Sequence, residues 1–154
     1  MTLVELLIAA AIGAVLLAGL TSVARQGVQS RAMTRDTGEA IYQARFALQR
    51  VAVAARATAA HTLLPPAART SGNWFDPAYF CVNAASALVE TTTTDTGCTG
   101  TQVIAERVSD FAATQPVGAG ALDAMTAAVA VTLDVPGGAA LTYSERMRLG
   151  GGTQ

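Results

Sequence analysis

Met1-Thr2-Leu3-Val4-Glu5-Leu6-Leu7-Ile8, continuing as AAAIGAVLLAGLTSVAR to residue 25, decides how this chain is read. From Leu6 to Ala24 there are nineteen residues without a charge and without Pro. At about 1.5 Å per residue such a helix is ~28 Å long, close to the hydrocarbon thickness of a bilayer. The stretch therefore predicts a transmembrane helix. Gly13 and Gly19 lower its helix propensity slightly but are common residues in membrane helices. The chain is 51% hydrophobic yet only 14% charged, against roughly 25% charged in an ordinary globular domain. Much of that bias sits in this one block, so the polar part is smaller than 154 residues suggests and amounts to one modest domain.

What lies on either side of the block leaves three readings of the N-terminus. A cleaved secretory signal needs a basic flank before a shorter apolar core, and MTLVE is acidic. A signal anchor is the second reading. Arg25, Arg31 and Arg35 follow the apolar run and no basic residue precedes it, so the positive-inside rule would then leave the C-terminal domain in the cytoplasm. The third reading takes Met1 as a processed N-terminus from which a basic leader has been cut.

Glu5 favours the third reading. A carboxylate deep in a membrane costs roughly 2.5–3.5 kcal/mol on insertion scales. An interfacial Glu in the first helical turn, aided by the helix dipole, is the plain alternative. Otherwise Glu5 needs a cation at its own depth, and an α-amino group on Met1 is the one at hand. A neighbouring subunit can bring its amine directly onto the carboxylate.

Met1-Thr2-Leu3-Val4-Glu5-Leu6-Leu7, followed by the apolar run, resembles the mature N-terminus of type IV pilins and type II secretion pseudopilins. The resemblance covers about 25 residues strongly. It implies cleavage before Met1 by a prepilin peptidase and N-methylation of Met1, where the family usually has Phe. It also implies that Glu5 neutralises the N-terminal amine of the adjacent subunit, and that the removed leader supplies the basic cytoplasmic flank. The segments AERVSDF (105–111) and YSERMRLG (143–150) are similar to those of minor pilins and J-type pseudopilins. The implied fold is α+β and pilin-like: a long N-terminal helix whose C-terminal half packs on a small antiparallel sheet. The expected division is 1–24 membrane or filament core, 25–60 amphipathic continuation of the helix, and 61–154 head. The implied partners are further copies of the chain in a helical filament, the inner membrane before assembly, prepilin peptidase, and the pilus or secretion machinery. The filament would stand outside the cell, or in the periplasm for a pseudopilus.

Residues support that layout beyond the motif. Ile41, Ala44, Leu48, Val51 and Ala55 recur at spacings of three and four, one stripe of a helix. Tyr42, Phe46 and Val53 are expected to widen it. The helix is expected to run from about residue 2 to 60, with Gly13, Gly19 and Gly27 as its points of bending. Pro65-Pro66 ends the helical region. Trp74, Phe75, Tyr79 and Phe80 predict a small aromatic core. Val129, Val131, Leu133 and Val135 alternate with smaller or polar residues. Pro136-Gly137-Gly138 turns the chain, and Leu141, Tyr143, Met147 and Leu149 resume the alternation: a hairpin. Glu145 falls in the apolar phase and is expected at a sheet edge, paired with an Arg such as Arg107, or at a bulge. Val103–Phe111 reads as one further strand and Tyr79–Val82 as a short one.

Cys81 and Cys98 fit no CxxC redox or zinc spacing. In an envelope protein they are expected to form one disulfide, closing a loop of about 18 residues. Its segment Glu90–Gly97, rich in Thr, reads as a solvated loop. All ten basic residues are Arg, so chemistry that needs Lys is excluded. His61, the single His, reads as a solvated residue at the helix end. Asp95, Asp110, Asp123 and Asp134 are scattered and spell no Ca²⁺ loop. No catalytic residue, metal ligand or cofactor is assigned, and no enzymatic activity is expected.

Charge is segregated. Residues 25–56 carry six Arg against Asp36 and Glu39, a net of +4; residues 57–154 carry four Arg against eight acids, a net of −4. This is either an arginine-rich solvated helix face or a basic stem that meets acidic heads of neighbours. Nothing in the pattern favours DNA or a host surface as partner. The function expected is a structural subunit of a type IV pilus-like filament. A minor pilin or pseudopilin with a priming or tip role is the alternative. From another class, a single-pass envelope protein that binds a ligand or has enzymatic activity predicts a stable monomer.

Overall fold

A computed structural model describes residues 2–59, 61, 63–115 and 126–150. The fold is α+β. One helix, α1 (Leu3–Ala57), precedes six strands: β1 (Ala78–Val82), β2 (Leu88–Thr92), β3 (Gln102–Ala105), β4 (Val108–Thr114), β5 (Thr126–Leu133) and β6 (Leu141–Arg148). The chain divides into two compact units, 1–36 and 37–154.

In the first unit every described residue is exposed except half-buried Gly13 and Asp36. The helix runs through Gly13, Gly19 and Gly27 without interruption, so the expected points of bending are not breaks. It also stops sooner than expected. Ala57 is its last residue, well ahead of Pro65-Pro66, and Thr58 closes the last turn by donating its N–H and its hydroxyl to Ala54 O.

In the second unit the helix buries Ala40, Ala44, Ala47, Leu48, Val51, Ala52 and Ala55. The stripe read from the sequence is therefore the core face, with Ile41 at its margin. Five of these seven are Ala, which lets the backbone of α1 come close to the sheets. Tyr42, Phe46 and Val53 do not widen the stripe: they are 71%, 41% and 55% exposed. At about 100° per residue they fall opposite Ala44, Val51 and Ala55, so the expected broad apolar face is two faces, one buried and one open.

The head has two three-stranded antiparallel sheets, ordered β1-β2-β3 and β4-β5-β6. The expected C-terminal hairpin is β5–β6, paired from Thr126↔Arg148 to Leu133↔Leu141 without a register shift. In β5 the alternation is realised as Ala127, Val129, Val131 and Leu133 buried between half-buried neighbours. Val103–Phe111, read as one strand, is two strands in different sheets. The break falls at Arg107, whose φ of +56° turns the chain. Glu90–Gly97 is not wholly a loop either, since Glu90, Thr91 and Thr92 belong to β2. Leu88 and Val89 of β2 are fully buried, and the core joins Trp74, Phe75 and Phe80 to Val108, Phe111 and the β5 side chains. Phe75 and Phe80 meet edge to face, with centroids 5.8 Å apart. The expected aromatic core is present, with Tyr79 at its margin.

Candidate functional site

The first candidate is Glu5 and the helix around it. Helix formation there begins at Thr2, whose carbonyl accepts the N–H groups of Glu5 (3.0 Å) and Leu6 (3.3 Å). Glu5 thus lies in the first turn, where the exposed N–H groups favour a negative charge. Among the described residues its carboxylate has no hydrogen-bond or ion-pair partner. Met1, the other residue expected at this site, lies outside the described residues. Beyond Glu5 the side chains of Leu6, Leu7, Ile8, Ile12, Val15, Leu16, Leu17, Leu20 and Val23 are each more than half exposed. The segment is long and apolar enough to cross a membrane, and none of it is buried within the chain. That much apolar surface needs a lipid or protein environment.

The second feature is the disulfide loop. Cys81 of β1 and Cys98 are bonded, which consumes both thiols. Asp95 organises the turn between them. Its carboxylate accepts the N–H of Thr99 (2.9 Å), the Thr99 hydroxyl (3.0 Å) and the N–H of Gly100 (2.8 Å). Donation from the Thr99 backbone, aided by the Thr99 hydroxyl and the Gly100 N–H, holds the Asp95 carboxyl below the usual carboxylate range. Gly100 packs so tightly on β2 that a Cβ there would stand 2.8 Å from Thr91 Cβ. The Asp95 carboxylate is thus occupied within the turn, and Thr93 ties the loop to Asp76 by donating its hydroxyl at 2.9 Å.

The third feature is the flank of α1 in the head. Arg50 forks onto Glu90 of β2, the one ion pair among the described residues. Arg45, Gln49, Ala52, Val53 and Arg56 line an open groove of about 530 Å³ together with Glu145 of β6. Of the three expectations for Glu145, the edge position holds. It sits on edge strand β6 opposite Val129, in regular register and exposed, and forms no ion pair with Arg107. A second open groove of about 350 Å³ lies between residues 66–70 and β4. Arg69 lines it with φ +61° and donates to Val108 O (3.4 Å), while its buried Nε has no partner among the described residues.

His61 is exposed at the end of the helical region, its ring nitrogens 2.9 Å from Ala59 O and 2.7 Å from Asn73 O. Among the described residues no three His, Cys, Asp or Glu side chains converge as metal ligands would. Asp123 lies outside the described residues. The Arg50–Glu90 pair, the Asp95 turn and the open face of Tyr42 and Phe46 were missed in the sequence. An i, i+4, i+11 spacing for Tyr42, Phe46 and Val53, offset from the Ala-rich stripe, was the available signal for the last. Comparison with family models, curated proteins and solved structures finds no match for this chain.

Proposed function

We propose that the chain is a structural subunit of a type IV pilus-like filament, held before assembly in a membrane by its N-terminal helix. The observation that carries the reading is the exposed apolar segment from Leu6 to Ala24, headed by a Glu5 carboxylate that has no partner among the described residues. Association would remove these side chains from lipid or water into a bundle of identical helices. Glu5 would pair there with the N-terminal amine of the adjacent copy, which fixes the axial register. The α+β head, closed by the Cys81–Cys98 disulfide, would form the filament surface outside the cell.

One variant and one mass measurement test the reading. Glu5→Ala keeps an apolar, insertable helix but removes the counter-charge. Filaments should be lost while membrane insertion persists; unchanged filament yield would sink the assignment. Mass spectrometry of filaments sheared from producing cells adds the second readout. A dominant species that begins at Met1, carries one added methyl and is two hydrogens light is a major subunit. A processed chain found only in trace amounts is a minor pilin or pseudopilin, which shares the fold and differs in stoichiometry. An uncut, monomeric chain would instead leave a single-pass envelope protein.

A further inference from the structure

We propose that the open face of α1 in the head is the surface on which a second copy of this chain docks, basic flank against acidic flank. The inference rests on the filament reading above and names the contact that would join adjacent heads. Tyr42, Phe46 and Val53 form a stripe down the middle of that face, an unusual use of aromatic side chains on the side of a helix that points away from its own core. The two flanks of the stripe differ in charge. At about 100° per residue, Arg45 and Arg56 lie roughly 40–60° to one side of Tyr42. Both are exposed, and neither is ion-paired among the described residues. Glu39 and Gln43 lie roughly 60–100° to the other side.

Gln43 ties Glu106 to that second flank. Its side-chain oxygen accepts the Glu106 N–H at 2.8 Å, and its side-chain nitrogen donates to Glu39 at 3.2 Å. Both acids are exposed. Arg50, which faces the same way, is already neutralised by Glu90. One flank is therefore basic and the other acidic, with an apolar stripe between them. Two copies can set basic against acidic across a two-fold axis parallel to α1, which would close a dimer, or side by side, the basic flank of one on the acidic flank of the next. The filament reading selects the second, a head-to-tail contact that leaves a free flank at each end and can propagate without closing. Glu145 tempers the basic flank without reversing it, since two Arg share the groove with one Glu.

The test is a charge swap in the full-length chain, in cells that make the filament. Arg45→Glu with Arg56→Glu should cut filament yield at least tenfold, and adding Glu39→Arg with Glu106→Arg should restore it. Among the described residues the Glu106 side chain makes no hydrogen bond that the swap removes and Glu39 loses only the one from Gln43, and thermal melting of each variant checks the head. As a milder pair, Arg45→Gln with Arg56→Gln should assemble less well and lose the salt sensitivity of the wild type. Wild-type yield from the double Glu variant, or no rescue by the fourfold swap, overturns the docking surface while leaving the filament reading intact. Absence of wild-type filaments overturns both.

Discussion

Arg50 on α1 grips Glu90 on β2 with two nitrogens: Nη2 lies 2.8 Å from both carboxylate oxygens and Nε lies 3.0 Å from one of them. The pair links the helix to the first sheet, and its members are unequally shielded, at 38% and 16% exposure. Water screens Arg50, so the coupling is worth about 0.5–1 kcal/mol rather than the value of a buried pair. Removing Arg50 strands the better-buried carboxylate. Arg50→Ala should therefore destabilise the head by about 1 kcal/mol or slightly more, and Glu90→Gln by less. A double-mutant cycle by thermal or denaturant unfolding checks this, and additive losses would mean the two side chains do not couple.

Cys81 and Cys98 are 17 positions apart, and their bond ties β1 to the far end of the turn that follows β2. Closing a loop of that size in the unfolded chain is worth about 3 kcal/mol in the entropy model. Cys81→Ser with Cys98→Ser should lower the melting temperature of the head by roughly 10 °C or more. A shift of only a degree or two would show that Asp95 and its donors hold the turn without the bond.

How much of this was legible follows from what period and composition can carry. The β5–β6 hairpin was, because its apolar residues alternate on both sides of Pro136-Gly137-Gly138 and one face is buried. The buried helical stripe was, because Ala44, Leu48, Val51 and Ala55 keep one phase over three turns. The break at Arg107 was not: apolar residues on both sides suit a strand, and nothing in an Arg announces a positive φ. The strand β2 was hidden because Glu90 and the threonines read as solvent-facing, whereas Glu90 faces an arginine of α1. Glu5 was legible at once as a charge at the head of an apolar run, whereas the pairing with Met1 that the filament proposal gives it would form between copies, which a single chain does not display.

Acid should weaken the disulfide loop. Donation from the Thr99 N–H first, then from the Thr99 hydroxyl and the Gly100 N–H, places the folded Asp95 carboxyl below its unfolded value of about 3.9. A group depressed on folding adds stability above the unfolded value, and that contribution fades as pH falls through the folded one. Wild type should melt above Asp95→Asn near neutral pH, and the gap should narrow as the pH drops below about 4. A gap that stays constant down to pH 2 would mean that the ionised carboxylate contributes nothing specific.

The two faces of α1 in the head should respond oppositely to truncation. Leu48 is 5% exposed and belongs to the core, so Leu48→Ala should cost about 2–5 kcal/mol. Phe46, two residues away, points outward and is 41% exposed. Were it part of the buried stripe, as its apolar character suggests from sequence, Phe46→Ala would cost about 3–5 kcal/mol. Facing outward, it should cost no more than about 0.5–1 kcal/mol, and Tyr42→Ala at 71% exposure should cost still less. Alanine's better helix propensity offsets part of either loss. Unfolding of the three single variants decides between the faces. If Phe46→Ala destabilised the head as much as Leu48→Ala, Phe46 would have to be buried within its own chain, and the open apolar face would be lost as an assembly surface. If the head instead tolerates both aromatic truncations while filament yield falls, their role lies between copies, because nothing inside the head needs them.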